Sequence, residues 1–182
     1  PIRIGVTGSG FMGRTHVESA KRAPEAELIA VAGGGRSKGL AEDYQIAWEP
    51  NAAALIARDD IDAVVISTPH HVHYEEAALA AEAGKHALIE KPLATSVEDC
   101  DRLIEAFNAK DLTLAVGYHQ RFRQSNQTVQ KLITDGAIGQ VRCIQMAALF
   151  DIAALRADEG FGGAWSWWTD PRSKGHILNS GP

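Results

Sequence analysis

Lys91 stands in Glu90-Lys91-Pro92, directly after the short apolar run His86-Ala87-Leu88-Ile89, so an ammonium is presented where a buried strand runs out. Ligands of open parallel α/β sheets bind in the crevice beyond the carboxyl ends of the strands, and a lysine there touches whatever the sheet holds. Such a lysine carries protons at neutral pH only if burial or a neighbouring positive charge brings its pKa from about 10.4 towards about 7 to 8. The tripeptide alone is equally compatible with a solvated surface lysine.

Gly8-Ser9-Gly10-Phe11-Met12-Gly13 has the G-x-G-x-x-G spacing, follows the β-branched run Ile2 to Thr7, and opens a helix-forming stretch that reaches Arg22. Gly8 permits a tight turn, Gly10 lets backbone approach a pyrophosphate, and Gly13 lets the helix pack close to the strand. Phosphate would sit on the helix N-terminus, where unpaired N–H groups and the helix dipole favour anions. Gly8, Gly10, Phe11, Met12 and Gly13 are therefore the candidate dinucleotide contacts of this turn.

About 20 residues past such a turn an acid usually binds the ribose 2′-OH of NAD, whereas an arginine accommodates the 2′-phosphate of NADP. The second strand, Glu27 to Ala32, runs into Gly33-Gly34-Gly35-Arg36-Ser37-Lys38, and no acid occurs before Glu42. Arg36, with Ser37 as a hydroxyl donor, favours NADP, with NAD still possible. A solvated turn opening the helix Ser37 to Tyr44 is the alternative.

His70, His71 and His73 follow the break after Ser67 at another strand end. No Cys or carboxylate lies at ligand spacing, and in an extended loop His70 and His71 would point apart, so no metal site is expected. A cofactor or substrate contact and packing at a helix start stay open. Further along, Arg121 leaves the last strand of the alternating pattern, and Trp165 lies in an aromatic, glycine-rich stretch. Both are candidate substrate contacts, Trp165 because an aromatic face stacks on a sugar ring; packing is the commoner role for Trp.

These groups need a scaffold that brings strand ends together. Runs at Ile2 to Thr7, Glu27 to Ala32, near Ile46, Ala63 to Ser67, His86 to Ile89 and Leu112 to Gly117 alternate with helical patterns. Six strands so spaced give an α/β fold with a doubly wound parallel sheet. Asn51 and Ser96 read as helix caps. After Tyr118 the pattern changes to a helix over Ser125 to Thr134 and one long strand over Gln140 to Phe150. The expected organisation is a dinucleotide-binding Rossmann domain over 1–120, followed by the incomplete beginning of a second α/β domain for substrate and oligomer contacts over 121–182.

The chain has 182 residues, 45% of them hydrophobic, and a formal net charge of -5, which excludes no globular class but speaks against nucleic acid and anionic membranes as partners. No apolar run approaches the roughly 20 residues that span a bilayer, and the first residues enter a strand rather than a leader, so the cytoplasm is the expected compartment. Cys100, in a helical pattern, and Cys143, in a strand pattern, read as isolated buried thiols.

Taken together, the glycine turn, Ser67-Thr68-Pro69 with His73, Ala83-Gly84-Lys85-His86 running into Glu90-Lys91-Pro92-Leu93, and Gly136-Ala137-Ile138-Gly139 resemble the Gfo/Idh/MocA oxidoreductase family. The resemblance implies that Lys91 lies beside a nicotinamide and takes part in proton transfer, that Thr68, Pro69, His73 and Glu90 line the cofactor crevice, and that the Lys91–Pro92 peptide is cis. It implies an NAD(P)-dependent dehydrogenase or reductase acting on a CH–OH group of a sugar, cyclitol or related polyol, and a homo-oligomer when full length. Family members carry a glycine-rich stretch whose Asp and His assist the lysine. Its counterpart here is Lys174-Gly175-His176-Ile177-Leu178-Asn179-Ser180-Gly181-Pro182, with Asn179 in place of the Asp. An amide can hydrogen-bond a substrate hydroxyl but cannot take its proton. That departure keeps a non-catalytic dinucleotide sensor as the alternative reading.

Overall fold

The computed structural model describes residues 1–145 and 171–173. Among these, 1–117 with 171–173 belong to one compact unit and 118–145 to a second. In the first unit the order is β1 (Ile2–Thr7), α1 (Phe11–Arg22), β2 (Ala26–Ala32), α2 (Ser37–Tyr44), β3 (Ala47–Glu49), α3 (Ala52–Ile56), β4 (Ala63–Ile66), α4 (His73–Glu82), β5 (His86–Ile89), α5 (Val97–Asn108) and β6 (Leu114–Val116).

The strands form one sheet in the order β3-β2-β1-β4-β5-β6, and every pairing is parallel. The chain builds outward from β1 to β3, then crosses back and builds the other way from β4. That reversal leaves a crevice beyond the carboxyl ends of β1 and β4, the place where doubly wound sheets bind ligands.

Strand alternation sorts the core. Ala30, Ala32, Val64 and Ile66 pack with Leu55, Ile56, Leu103 and Phe107 on the face covered by α3, α4 and α5. Val31 and Val65 point the other way and pack with Val17, Leu40 and Ala41 of α1 and α2. Both faces are buried, which is why β4 reads as an uninterrupted apolar run. The expected caps are made: Asn51 Oδ1 accepts from the Ala54 N–H and Ser96 Oγ from the Asp99 N–H. Arg3 donates to both oxygens of Asp62 (Nη2 to Oδ1 at 2.6 Å, Nε to Oδ2 at 3.0 Å), tying the start of β1 to the residue before β4.

The second unit contains a 3-10 turn, His119–Phe122, and helix α6, Gln124–Thr134. The long strand expected from Gln140 is not formed over 140–145, and 146–150 lie outside the described residues. A strand exists only by pairing, and all six paired strands among the described residues belong to the first unit. Cys143 is correspondingly exposed rather than buried, whereas Cys100 is half-buried on α5.

Candidate functional site at the carboxyl ends of β1, β2, β4 and β5

The glycine turn joins β1 to α1 with three different demands on its glycines. Gly8 has φ +91°, and a Cβ there would lie 2.5 Å from the Ser67 carbonyl oxygen. A Cβ on Gly13 would overlap the Gly8 carbonyl oxygen, so this position fixes how closely α1 rides on the turn. A Cβ on Gly10 would meet nothing within 4 Å. Gly10 is the residue before α1, no side chain caps it, and the first turn of α1 carries no acid. The first N–H groups of that helix have no intrahelical partner and carry the positive end of its dipole, so an anion fits the open space beside Gly10. Phe11 is exposed and Met12 half-buried at the same helix end.

At the end of β2, Gly33 and Gly34 have φ of +75° and +76°, and Ser9 Oγ accepts from the Arg36 N–H at 3.3 Å, so the two turns are joined. Arg36 is exposed. Ser37 is not the hydroxyl donor expected beside it. Its side chain is buried, donating to the Gly34 carbonyl at 3.0 Å and accepting from Trp48 Nε1 at 3.0 Å. With its single proton used inside the protein, Ser37 shapes the turn that carries Arg36.

At the end of β4, Ser67 Oγ donates to the Thr7 carbonyl at 2.6 Å and fastens this loop to β1. Thr68 and Pro69 are half-buried, and Thr68 Oγ1 donates to Glu76 Oε2 at 3.1 Å. The same oxygen accepts from Thr7 Oγ1 at 2.6 Å. Burial pushes the Glu76 carboxyl above the ordinary carboxylate range, and the two threonine bonds only partly offset this. His73, expected on the crevice wall, lies behind it: it is fully buried, with Nδ1 2.7 Å from the Pro92 carbonyl oxygen and Nε2 2.8 Å from that of Thr68. It holds two crevice loops together. Two carbonyl acceptors favour a doubly protonated ring, but burial prevails and lowers its pKa. His70 and His71 turn elsewhere, with Nδ1 atoms 3.2 Å from the Ser173 carbonyl oxygen and 3.1 Å from Ser173 Oγ. Among the described residues no three His, Cys, Asp or Glu side chains converge as a metal site.

At the end of β5, Glu90 is 5% exposed and Lys91 half-buried, and the Lys91–Pro92 peptide is cis. Burial lowers the Lys91 pKa, and the Glu90 charge opposes that in part. One Glu90 oxygen, Oε1, lies 2.9 Å from His16 Nε2, and the other accepts from the Lys91 backbone N–H at 3.3 Å. Sequence reasoning missed His16 and Glu76. His16 belongs to the stripe Gly13, Val17, Ala20 that faces the sheet, a periodic signal that could have exposed it. Glu76 looks from sequence like an acid placed to suit a helix N-terminus.

Of the expected substrate contacts, Arg121 is exposed on the 3-10 turn of the second unit, and Trp165 and Asn179 lie outside the described residues.

A parallel sheet with this strand order and a glycine turn opening α1 at its switch point defines a dinucleotide-binding Rossmann domain. The chain belongs to the Gfo/Idh/MocA family, described as "Oxidoreductase family, NAD-binding Rossmann fold", whose profile matches residues 2–118. It is 35% identical over 142 residues to Inositol 2-dehydrogenase 3 of Saccharopolyspora erythraea, covering 76% of this chain and 42% of that protein. The crystal structure of a putative myo-inositol dehydrogenase from Sinorhizobium meliloti superposes with a TM-score of 0.72 at 32% identity, over 78% of this chain and 43% of the other. The scyllo-inositol dehydrogenase of Lactobacillus casei, solved with NAD(H) and scyllo-inositol, gives a TM-score of 0.71 at 26% identity over 76% and 42% of the two chains. The chain thus spans less than half the length of these relatives. Among the described residues no helix is long and apolar enough to cross a membrane.

Proposed function

We propose that this chain is the cofactor-binding part of an NAD(P)-dependent oxidoreductase that interconverts a CH–OH group and a carbonyl on a sugar, cyclitol or related polyol, with NADP preferred. The observation that carries the reading is the half-buried Lys91, whose ammonium is disfavoured by burial at a strand end beside the β1/β4 crevice. A bound nicotinamide supplies the hydride acceptor or donor. In the oxidising direction the neutral Lys91 amine would take the substrate hydroxyl proton, and in the reducing direction the ammonium would return a proton to that oxygen.

The remaining groups bind and orient. Gly10 and the α1 N-terminus hold the pyrophosphate, Arg36 meets a ribose 2′-phosphate, and Thr68 and Pro69 form the wall that His73 and Glu76 brace from behind. Arg121, Trp165 and Asn179 are assigned to the substrate side, in the homo-oligomer that the family resemblance implies. The inositol-directed relatives support a ring polyol as substrate.

The test is turnover and NADPH affinity of Lys91→Ala and Lys91→Arg in the intact protein that carries this chain, against a panel of cyclitols and sugars. Loss of general acid/base catalysis costs about a hundredfold or more in kcat with little change in NADPH affinity. Arginine, which stays protonated, is not expected to rescue. Near-normal turnover in either variant would remove Lys91 from this role.

A further inference from the structure

The Glu90 carboxylate is almost wholly inside the protein, yet it is not a partner of the Lys91 side chain at hydrogen-bond range among the contacts described. It reaches instead in two directions. Oε2 holds the backbone N–H of Lys91 at 3.3 Å, and Oε1 meets His16 Nε2 at 2.9 Å. His16 is on α1, one turn beyond Gly13, so it rides on the same rigid rod whose N-terminus receives the pyrophosphate. A carboxylate only accepts, which fixes the proton on Nε2 of His16. The third side of the pocket is Gly117, just past β6, where an added Cβ would lie 3.0 Å from Glu90 Oε1. The glycine therefore keeps the space that lets the carboxylate turn towards α1.

We infer that the His16–Glu90 pair is a positioning device that joins the dinucleotide-binding helix to the backbone of Lys91 and fixes a buried anion at the residue next to it. This rests on the proposed role of Lys91. The charged or titratable groups that act on Glu90 are His16 from α1, Lys91 beside it on the same strand end, and His73 from α4, which feels the Glu90 charge. Burial pushes the Glu90 carboxyl up, but the His16 bond and the Lys91 charge outweigh it, so Glu90 stays ionised through the neutral range. An anion held at this spot pulls the Lys91 amine back towards the ammonium, against the burial that drives it the other way. The pair thus keeps a proton on Lys91 to higher pH than burial alone would allow, and it does so most fully while His16 holds Oε1 in place.

The test is competitive acetylation of the intact protein across pH, read by peptide mass spectrometry, which gives the midpoint at which the Lys91 amine becomes nucleophilic. NADPH titration and circular dichroism on the same samples report the cofactor seat and the fold. Glu90→Gln, which removes the anion, should lower the Lys91 midpoint. His16→Ala should lower it by less, since the freed carboxylate can turn from Lys91 or hold its own proton longer. His16→Gln, whose amide can still donate, should restore the midpoint. In the double variant His16→Ala with Glu90→Gln, the midpoint should equal that of Glu90→Gln alone, because one pathway has been cut twice. A His16 that only fills space would leave the midpoint untouched. A wild-type midpoint below that of an ordinary lysine but unmoved in folded Glu90→Gln and His16→Ala overturns this inference alone. A wild-type midpoint equal to that of the exposed lysines overturns the role given to Lys91 itself.

Discussion

Gly10→Ala and Gly13→Ala separate a glycine needed by the ligand from one needed by the fold. At Gly10 the backbone lies at φ -76°, which alanine adopts freely, and the new methyl would meet no protein atom within 4 Å. At a helix N-cap, alanine is less favourable than glycine by only about a few tenths of a kcal/mol to 1 kcal/mol, so melting should barely move. The methyl would occupy the space through which a phosphate reaches the first N–H groups of α1. Losing one charge-assisted bond removes about 1.5 to 3 kcal/mol, or roughly 10- to 150-fold in dinucleotide affinity. At Gly13 the methyl overlaps the Gly8 carbonyl oxygen, and α1 must move off the turn. Overpacking of this kind costs about 1 to 3 kcal/mol of stability, and the displaced helix end loses the phosphate as well. The assay is thermal unfolding beside nicotinamide-fluorescence titration of NADPH for both variants. Gly10→Ala should bind weakly and melt normally, whereas Gly13→Ala should do both badly. Gly10→Ala binding NADPH like the wild type would refute the placement of the pyrophosphate.

Arg36→Ala should reduce NADPH affinity by about tenfold or more and leave NADH affinity nearly unchanged, since a charge-assisted phosphate contact is worth about 1.5 to 3 kcal/mol. Equal affinities of the wild type for NADPH and NADH would contradict this at once. Ser37→Ala should lower stability by about 1 to 3 kcal/mol, because Trp48 Nε1 loses its acceptor and Gly34 a donor, without changing the NADPH-to-NADH ratio. A collapsed ratio would return Ser37 to the phosphate site. Glu76 is a carboxyl whose pKa burial raises in the fold, so its contribution to stability is fully present below the unfolded value near pH 4.3 and is lost as pH rises through the folded value. Glu76→Gln keeps an acceptor for Thr7 and Thr68 and cannot ionise. Chemical denaturation should therefore show Glu76→Gln gaining relative to wild type at pH 7 compared with pH 4, and a gap that does not change with pH would show the carboxyl to be unstrained.

The scaffold was readable because its signals are local. Uninterrupted apolar runs such as Ala63 to Ile66, the caps at Asn51 and Ser96, and the glycine turn each carry their own physical cause within a few residues. The crossover between β3 and β4 followed from strands alternating with helices. The turn was readable where one residue type has one use, as with Gly8 and Gly13. Ser37 and His73 were misplaced because their roles depend on partners far along the chain, Trp48 for one and Pro92 for the other. His16 and Glu76 escaped for the same reason: Glu90 is 74 positions from His16, and Thr7 is 69 from Glu76. Gln140 to Gln145 has the alternation of a strand, but alternation does not provide the neighbour that a strand must pair with.

In the proposed function a dinucleotide lies across the carboxyl ends of β1 and β4 with its nicotinamide at Lys91. The most direct measurement is a crystal structure of the intact protein with NADPH and a cyclitol. The pyrophosphate should rest on the N–H groups at Gly10, and one substrate carbon should bridge the two partners, with its hydroxyl about 3 Å from Lys91 Nζ and the carbon about 3 to 3.5 Å from the nicotinamide ring. A nicotinamide seated away from β5, with Lys91 out of reach of the substrate hydroxyl, would contradict the account.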